Sequence, residues 1–465
     1  MLELLMINPH EYGLLTDLYQ LTMAACYAGE GIDQRQASFE LFVRRLPEDF
    51  GYLIVAGLAQ ALEYLTHFSF PAEYLESLRS SGQFDQAPDS FWQLLSEGRF
   101  TGDVWAIPEG TAMFANQPLL RVEAPLWQAQ IAETYLLNVI NYQTLIASRA
   151  ARLRDVVGPE PKLLEFGARR AFSPQGSLWA ARAALAAGLD ATSNVLAALK
   201  LGRLPAGTMA HSLVMAFTAA SGSEDDAFEA FQRYFPEAAL LIDTYDTVAA
   251  AQRLADQLKA GKTQVAAVRI DSGDLAELAK AVKEYLPNTK ILVSGDLDEY
   301  ALLRLRQAGA PISGYGIGTK LVTGAPVNGV YKLVEIDGMP VMKSSSSKVT
   351  YPGRKQVFRA IQAGRIVKER LGLMIETPEA DEQPLLLPVM QSGEMMYPPE
   401  SLSEIAERTA ASVATLPEAV RRIEAPEPMP VAISKPLQKL TEETYFRLSK
   451  QKTALEDIVM PPQPV

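Results

Sequence analysis

Val265-Ala266-Ala267-Val268-Arg269-Ile270-Asp271-Ser272-Gly273-Asp274 and, seventeen positions on, Ile291-Leu292-Val293-Ser294-Gly295-Asp296 have the same design. Each is an apolar run that ends in small, polar and acidic residues, and a helical pattern over 274–286 lies between them. Two strands joined through a helix run parallel, because a crossover of that length brings the chain back to the same edge before the next strand starts. The same texture extends outward. Strand-like runs recur at 162–166, 189–193, 207–210, 239–243, 265–271, 291–294, 314–318 and 331–336, with helical patterns at 247–260, 274–286 and 297–308. Eight runs predict an α/β fold closed into an irregular (β/α) barrel, with an open doubly wound sheet as the alternative. No Gly-x-Gly-x-x-Gly opens a helix after a strand, which argues against a dinucleotide-binding fold.

On either side of the barrel the pattern changes. Residues 1–125 mix helix signals at 15–27 and 53–64 with strand signals at 37–43, 103–107 and 119–122, an α+β domain. Residues 126–345 form the predicted barrel domain, entered through a long helical pattern at 127–154. Residues 346–465 form a C-terminal segment: a lid, then short strands, then helices at 402–423 and 442–455, expected to pack back on the N-terminal domain. Its lid begins near Lys343–Lys348, a lysine-flanked serine run that reads either as a flexible linker or as an anion-binding lid.

With 465 residues the chain has room for two or three domains, and 48% hydrophobic against 21% charged residues is a globular balance. The net charge of −12 argues against nucleic acid as a partner, while leaving small anions open to local cations and backbone N–H groups. No apolar run reaches membrane-spanning length, and no signal-peptide pattern opens the chain. A single cysteine, Cys26, excludes an internal disulfide framework, so a cytoplasmic setting is expected.

A barrel gathers the polar residues at its strand ends into one site. Those residues are Glu165 with Arg169 and Arg170, Ser193 and Asn194, His211 and Ser212, Asp243 and Thr244, Asp271 and Ser272, Ser294, Gly295 and Asp296, and Gly318, Thr319 and Lys320. Arg269 interrupts an apolar strand. It either pairs with an acid such as Asp271 or Asp274 or holds an anionic ligand through its planar fork. Asp271 and Asp274 read as helix N-terminal acids or, for Asp271, as a ligand for magnesium or ribose hydroxyls. Asp296 with Glu299 resembles a capping box. Gly314-Tyr315-Gly316-Ile317-Gly318-Thr319-Lys320 can cradle a phosphate, and it falls where barrels commonly bind one. His211, one of three histidines, is either a packed or capping residue or a nucleophilic imidazole able to carry a phosphoryl group.

Several segments together resemble nicotinate phosphoribosyltransferases: 15–20, 39–44, 165–170, 192–194, 207–212, 242–245, 268–274, 316–319 and 329–333, in order over about residues 15–360. The resemblance implies the irregular α/β barrel of the type II phosphoribosyltransferases, plus an α+β domain built from N-terminal and C-terminal segments. It implies the ATP-coupled synthesis of nicotinate mononucleotide from nicotinate and 5-phosphoribosyl 1-pyrophosphate, with release of pyrophosphate, in cytosolic NAD salvage. Carried onto this chain, it makes His211 the phosphorylated histidine and matches Tyr19, Thr208 and Arg269 to nicotinate. It matches Thr319 to the phosphoribosyl group, in the company of Gly318, Gly295, Ser294 and Arg169. Magnesium is the expected metal, near Asp271 and Asp243, and ATP the co-substrate. Lys348 and Arg359 are the expected lid or phosphate groups. The working unit is expected to be a homodimer in which Tyr19 reaches the neighbouring barrel. Alternatives are a nicotinamide-using enzyme of the same fold and, more remotely, a barrel sugar-phosphate enzyme such as an aldolase or isomerase built on Lys320 or Glu165. A quinolinate-using enzyme should be much shorter. A non-catalytic binding barrel leaves the gathering of strand-end polar groups unexplained.

Overall fold

The structure is a computed structural model that describes residues 7–345, 348–396 and 398–459, with side chains described outside 344–349 and 451–459. It holds two main sheets, each with its own hydrophobic core. One is a parallel, six-stranded sheet ordered Ala191–Thr192, Lys162–Glu165, Gly314–Ile317, Lys290–Val293, Ala267–Ile270, Leu240–Leu241. The last strand in the chain, Gly314–Ile317, lies beside the first, Lys162–Glu165, so the sheet curls round on itself. Several of the helices between these strands start on side-chain caps. Asn194, Asp246, Asp274 and Asp298 each accept backbone N–H groups of the first turn. Asp298, not Asp296, therefore caps the helix Glu299–Gln307, and the capping box expected from Asp296 and Glu299 is corrected.

Two of the eight predicted strands are absent from this sheet. Residues 207–210 are extended but pair in no ladder. They are tied to the sheet at both sides, through the preceding Ala206 N–H donating to the Thr192 carbonyl (2.9 Å) and through the Arg269 side chain bonded to Thr208 and Met209. The run 331–336 forms Gly329–Ile336, which pairs antiparallel with Gln36–Val43 in the other main sheet. The barrel is thus six strands and one unladdered stave.

The second main sheet has seven strands, ordered Met339–Pro340, Gly329–Ile336, Gln36–Val43, Pro118–Pro125, Asp103–Ala106, Leu387–Gln391 and Glu394–Met395. Its core includes the stacked rings of Phe39 with Tyr331 and of Tyr64 with Tyr135. The single helix expected over 53–64 divides here. Leu53–Ile54 is a strand pairing with Ala112–Met113, and the helix Leu58–Thr66 begins after Gly57. The long helix Glu133–Val157 joins the two units. Its Tyr135, Leu136, Val139, Ile140 and Leu145 belong to the second core, and Ile146 through Val157 belong to the barrel core.

The C-terminal segment builds a four-stranded sheet, Glu382–Pro384, Lys355–Gln362, Arg365–Leu373 and Val431–Ile433, and adds two strands to the seven-stranded one. Arg359 is corrected here. It is buried opposite Glu369 on the antiparallel neighbour, bonds to that carboxylate and to the Ala112 carbonyl (2.7 Å), and is not a lid group. The side chain of Lys348, the other expected lid residue, lies outside the described residues. Among the described residues no helix is long and apolar enough to cross a membrane.

Candidate active site

At the carboxyl ends of the barrel strands lies a cavity of about 760 Å³. Most of the residues singled out from sequence line it: Thr208, His211, Arg269, Asp271, Ser294, Gly295, Gly318, Thr319 and Arg169. Phe166, Met209, Asp296 and Gly316 join them.

Arg269 is held by the unladdered stave. It donates from Nη1 to Thr208 Oγ1 (2.6 Å) and from Nη2 to the Met209 carbonyl (3.0 Å). Its Nε is buried with no partner among the described residues. Burial pushes the guanidinium below its ordinary value, and Asp271 and Asp243 act against that shift. The internal pairing left open by the sequence is therefore not a hydrogen-bonded one. The acids act at a distance, and the fork keeps N–H groups to spare from its five donors.

His211 opens the helix His211–Ser221. Its Nδ1 lies 3.1 Å from Thr244 Oγ1, and its Nε2 lies 4.0 Å from Asp271 Oδ2. Asp271 in turn accepts from the Ser294 hydroxyl, and its N–H donates to Asp243 Oδ2 (2.9 Å), which also takes the Ser272 hydroxyl (2.7 Å). Asp243 Oδ1 is buried with no partner among the described residues. Gly295, at φ +97°, allows a close backbone approach, since a Cβ there would meet the Asp271 carbonyl oxygen at 2.1 Å. Among the described residues no three His, Cys, Asp or Glu side chains form a metal cage.

Other expected groups fall elsewhere. Glu165 is buried beneath the site, where it accepts from Thr192 Oγ1 (2.5 Å) and from Gly167 N–H, and burial raises its carboxyl above the ordinary range. Lys320 is exposed and does not line the cavity. Tyr19 also lies away from it, in a separate cleft of about 660 Å³ with Glu133, Tyr142 and Phe172, its hydroxyl 3.5 Å from Glu133 Oε2. Phe166 is a lining residue to which sequence reading gave no role. The signal was an aromatic residue directly after a barrel strand, the position that faces a site.

Three family profiles match in succession. The nicotinate phosphoribosyltransferase N-terminal domain covers residues 14–141, the nicotinate phosphoribosyltransferase family 161–362, and the C-terminal domain 374–441. The chain is 44% identical to the nicotinate phosphoribosyltransferase pncB2 of Mycobacterium tuberculosis over 397 residues, 83% of each chain. It is 37% identical to that of Bacillus subtilis over 90% of this chain and 92% of the relative. The crystal structure of human nicotinic acid phosphoribosyltransferase superposes with a TM-score of 0.80 at 30% identity, covering 92% of this chain and 99% of that one. With its cavity, its strand order and these matches from end to end, the chain is an enzyme of the nicotinate phosphoribosyltransferase family.

Proposed function

We propose that the cavity joins nicotinate to 5-phosphoribosyl 1-pyrophosphate, giving nicotinate mononucleotide and pyrophosphate, and that ATP hydrolysis through His211 is coupled to this step. The family supports nicotinate phosphoribosylation in NAD salvage. The observation that carries the substrate choice is Arg269, a half-buried cation with no carboxylate bonded to it among the described residues and N–H groups left over. A carboxylate on a planar ring satisfies that fork through two parallel hydrogen bonds, which a nicotinamide carboxamide cannot do as an anion.

In this reading the Phe166 ring is the aromatic wall for the pyridine, and Arg269 sets its orientation. The pyridine nitrogen attacks ribose C1, the bond from C1 to the pyrophosphate oxygen breaks, and pyrophosphate departs with its electrons. Alignment and charge neutralisation do the work, since no proton has to move. Thr319, Gly318 and the Ser294–Gly295 turn supply hydroxyl and N–H groups for the phosphoribosyl moiety, and Arg169 supplies positive charge at the mouth. Asp243 Oδ1, unpartnered among the described residues and beside Asp271, suits a divalent cation bound by one or two carboxylates and by substrate phosphates. Magnesium bound there supplies charge compensation for the leaving pyrophosphate.

With Nδ1 turned to the Thr244 hydroxyl, His211 presents Nε2 on the cavity side. Nε2 attacks the γ-phosphorus of ATP, ADP leaves, and water later cleaves the N–P bond to release phosphate. The Tyr19 cleft on each chain is read as the edge of a neighbour's site, in a homodimer working in the cytoplasm.

The test incubates the protein with magnesium, phosphoribosyl pyrophosphate and either nicotinate or nicotinamide, with and without ATP. Mononucleotide from nicotinate, stimulated by ATP, is expected; its absence ends the reading, and a preference for nicotinamide replaces it. Acid-labile phosphate from ATP is expected on the wild type and not on His211→Ala. Label persisting on His211→Ala removes His211 from the role.

A further inference from the structure

Glycine inside a strand weakens it, adding backbone entropy and packing no side chain, and so often marks a close approach. Gly316 is such a residue, in the strand Gly314–Ile317 and in register with Leu164. A Cβ built there would lie 2.5 Å from both Cδ2 and Cε2 of Phe166 and 3.2 Å from Cβ of Ser294. The Phe166 ring fills the space that any other side chain would need.

The Phe166 main chain is tied to this same strand, its N–H donating to the Ile317 carbonyl (2.7 Å). The ring has therefore little freedom to yield by moving its backbone. A methyl group at 316 would drive it off the barrel wall and toward the cavity that both residues line. The neighbouring glycines differ. A Cβ on Gly314 would meet the Lys162 carbonyl at 3.2 Å, and one on Gly318 would meet the Phe166 carbonyl oxygen at 3.4 Å, an ordinary contact. Only Gly316 of the three meets the aromatic ring.

We propose that Gly316 is a positioning residue that acts through Phe166: by carrying no side chain it seats the ring flush against the wall and so sets the room left for a planar substrate. This rests on the reading of the cavity as a nicotinate site. It separates Gly316 from a phosphate-cradling role, in which its effect would fall on the phosphoribosyl substrate.

The experiment is a double-mutant cycle of Gly316→Ala and Phe166→Leu, with KM for nicotinate and for phosphoribosyl pyrophosphate and the thermal midpoint of each form. Gly316→Ala is expected to raise the nicotinate KM by at least about tenfold, the scale of one misplaced methyl group in a pocket, with the other KM unchanged within about twofold. In the Phe166→Leu background, the glycine substitution is expected to add almost nothing. Equal penalties in both backgrounds, or an effect confined to the phosphoribosyl pyrophosphate KM, overturn the inference. If Gly316→Ala alone does not fold, the double variant is expected to recover the midpoint of Phe166→Leu; failure to recover it overturns the inference too. A wild type that makes no nicotinate mononucleotide overturns the parent reading, and the thermal cycle still decides whether the ring occupies the Gly316 space.

Discussion

Thr208 is expected to serve the substrate through Arg269, and that is open to a quantitative test. Its Oγ1 accepts from Nη1 of Arg269 at 2.6 Å and faces the Met209 carbonyl at 3.3 Å, the same carbonyl that takes Nη2. The hydroxyl is thus one of two anchors that fix the plane of the guanidinium. Thr208→Val preserves shape and removes that anchor. Losing one hydrogen bond to a partly buried charge, with the second anchor intact, should cost about 1–2 kcal/mol of ligand alignment, or about five- to thirtyfold in the nicotinate KM. Arg269→Ala removes two charge-assisted bonds to the carboxylate, about 3–5 kcal/mol, and should lower kcat/KM about a hundred- to a few thousandfold. Because both act on one interaction, the effects should not add. In the Arg269→Ala background, Thr208→Val should change kcat/KM by less than about twofold. Initial rates of mononucleotide formation, with nicotinate varied at saturating phosphoribosyl pyrophosphate and ATP, measure all four forms. A valine penalty that persists undiminished without Arg269 would refute the reasoning and make the hydroxyl a direct ligand of the substrate.

Thr244→Val should slow the labelling of His211 by ATP about tenfold in a single turnover, and Thr244→Ser should restore it, because the hydroxyl bonded to Nδ1 fixes the orientation of the imidazole ring; an unchanged rate would show that Thr244 is a bystander. Glu109 offers a test of stability. Burial raises its carboxyl, but Arg182 and the N–H groups of Gly57 and Leu58 outweigh this and leave it below the ordinary value. A depressed folded value contributes stability above the unfolded value of 4.5 and loses it as pH falls below that. Chemical denaturation from about pH 5 to pH 3 should therefore show a steeper loss for the wild type than for Glu109→Met/Arg182→Met, and parallel curves would count against the pair. At neutral pH, Arg182→Met alone should cost about 3–5 kcal/mol by stranding the carboxylate.

The parallel strands were legible because each is an apolar run that stops at Asp, Ser or Gly, and because Asp246 and Asp274 start the next helix. Their number was not. Residues 207–210 have the composition of a strand, but the Met209 carbonyl is taken by the Arg269 side chain rather than by a neighbouring strand. Residues 331–336 do form a strand, and nothing in their alternation states which sheet they join. Their partner, Gln36–Val43, lies some three hundred positions away. The Gly-rich run reads in the sequence as a phosphate cradle, and nothing in it shows that Gly316 meets an aromatic ring.

Arg269 and Arg359 show where reading a sequence stops. Each is an arginine within an apolar strand, and in each case the cost of burying the charge calls for an anion. Arg359 finds its anion in the chain, because the antiparallel register sets Glu369 directly opposite, with the Ala112 carbonyl behind it. Arg269 lies on a parallel strand whose neighbours put Leu241 and Leu292 beside it. Its bonds go to a hydroxyl and a carbonyl, which orient a guanidinium without neutralising it. A buried pair is self-sufficient and adds shape to a core, whereas a cation oriented by neutral groups still favours an anion from outside. The two look alike as residues in a string. Strand register makes one a structural tie and leaves the other with capacity for a substrate carboxylate.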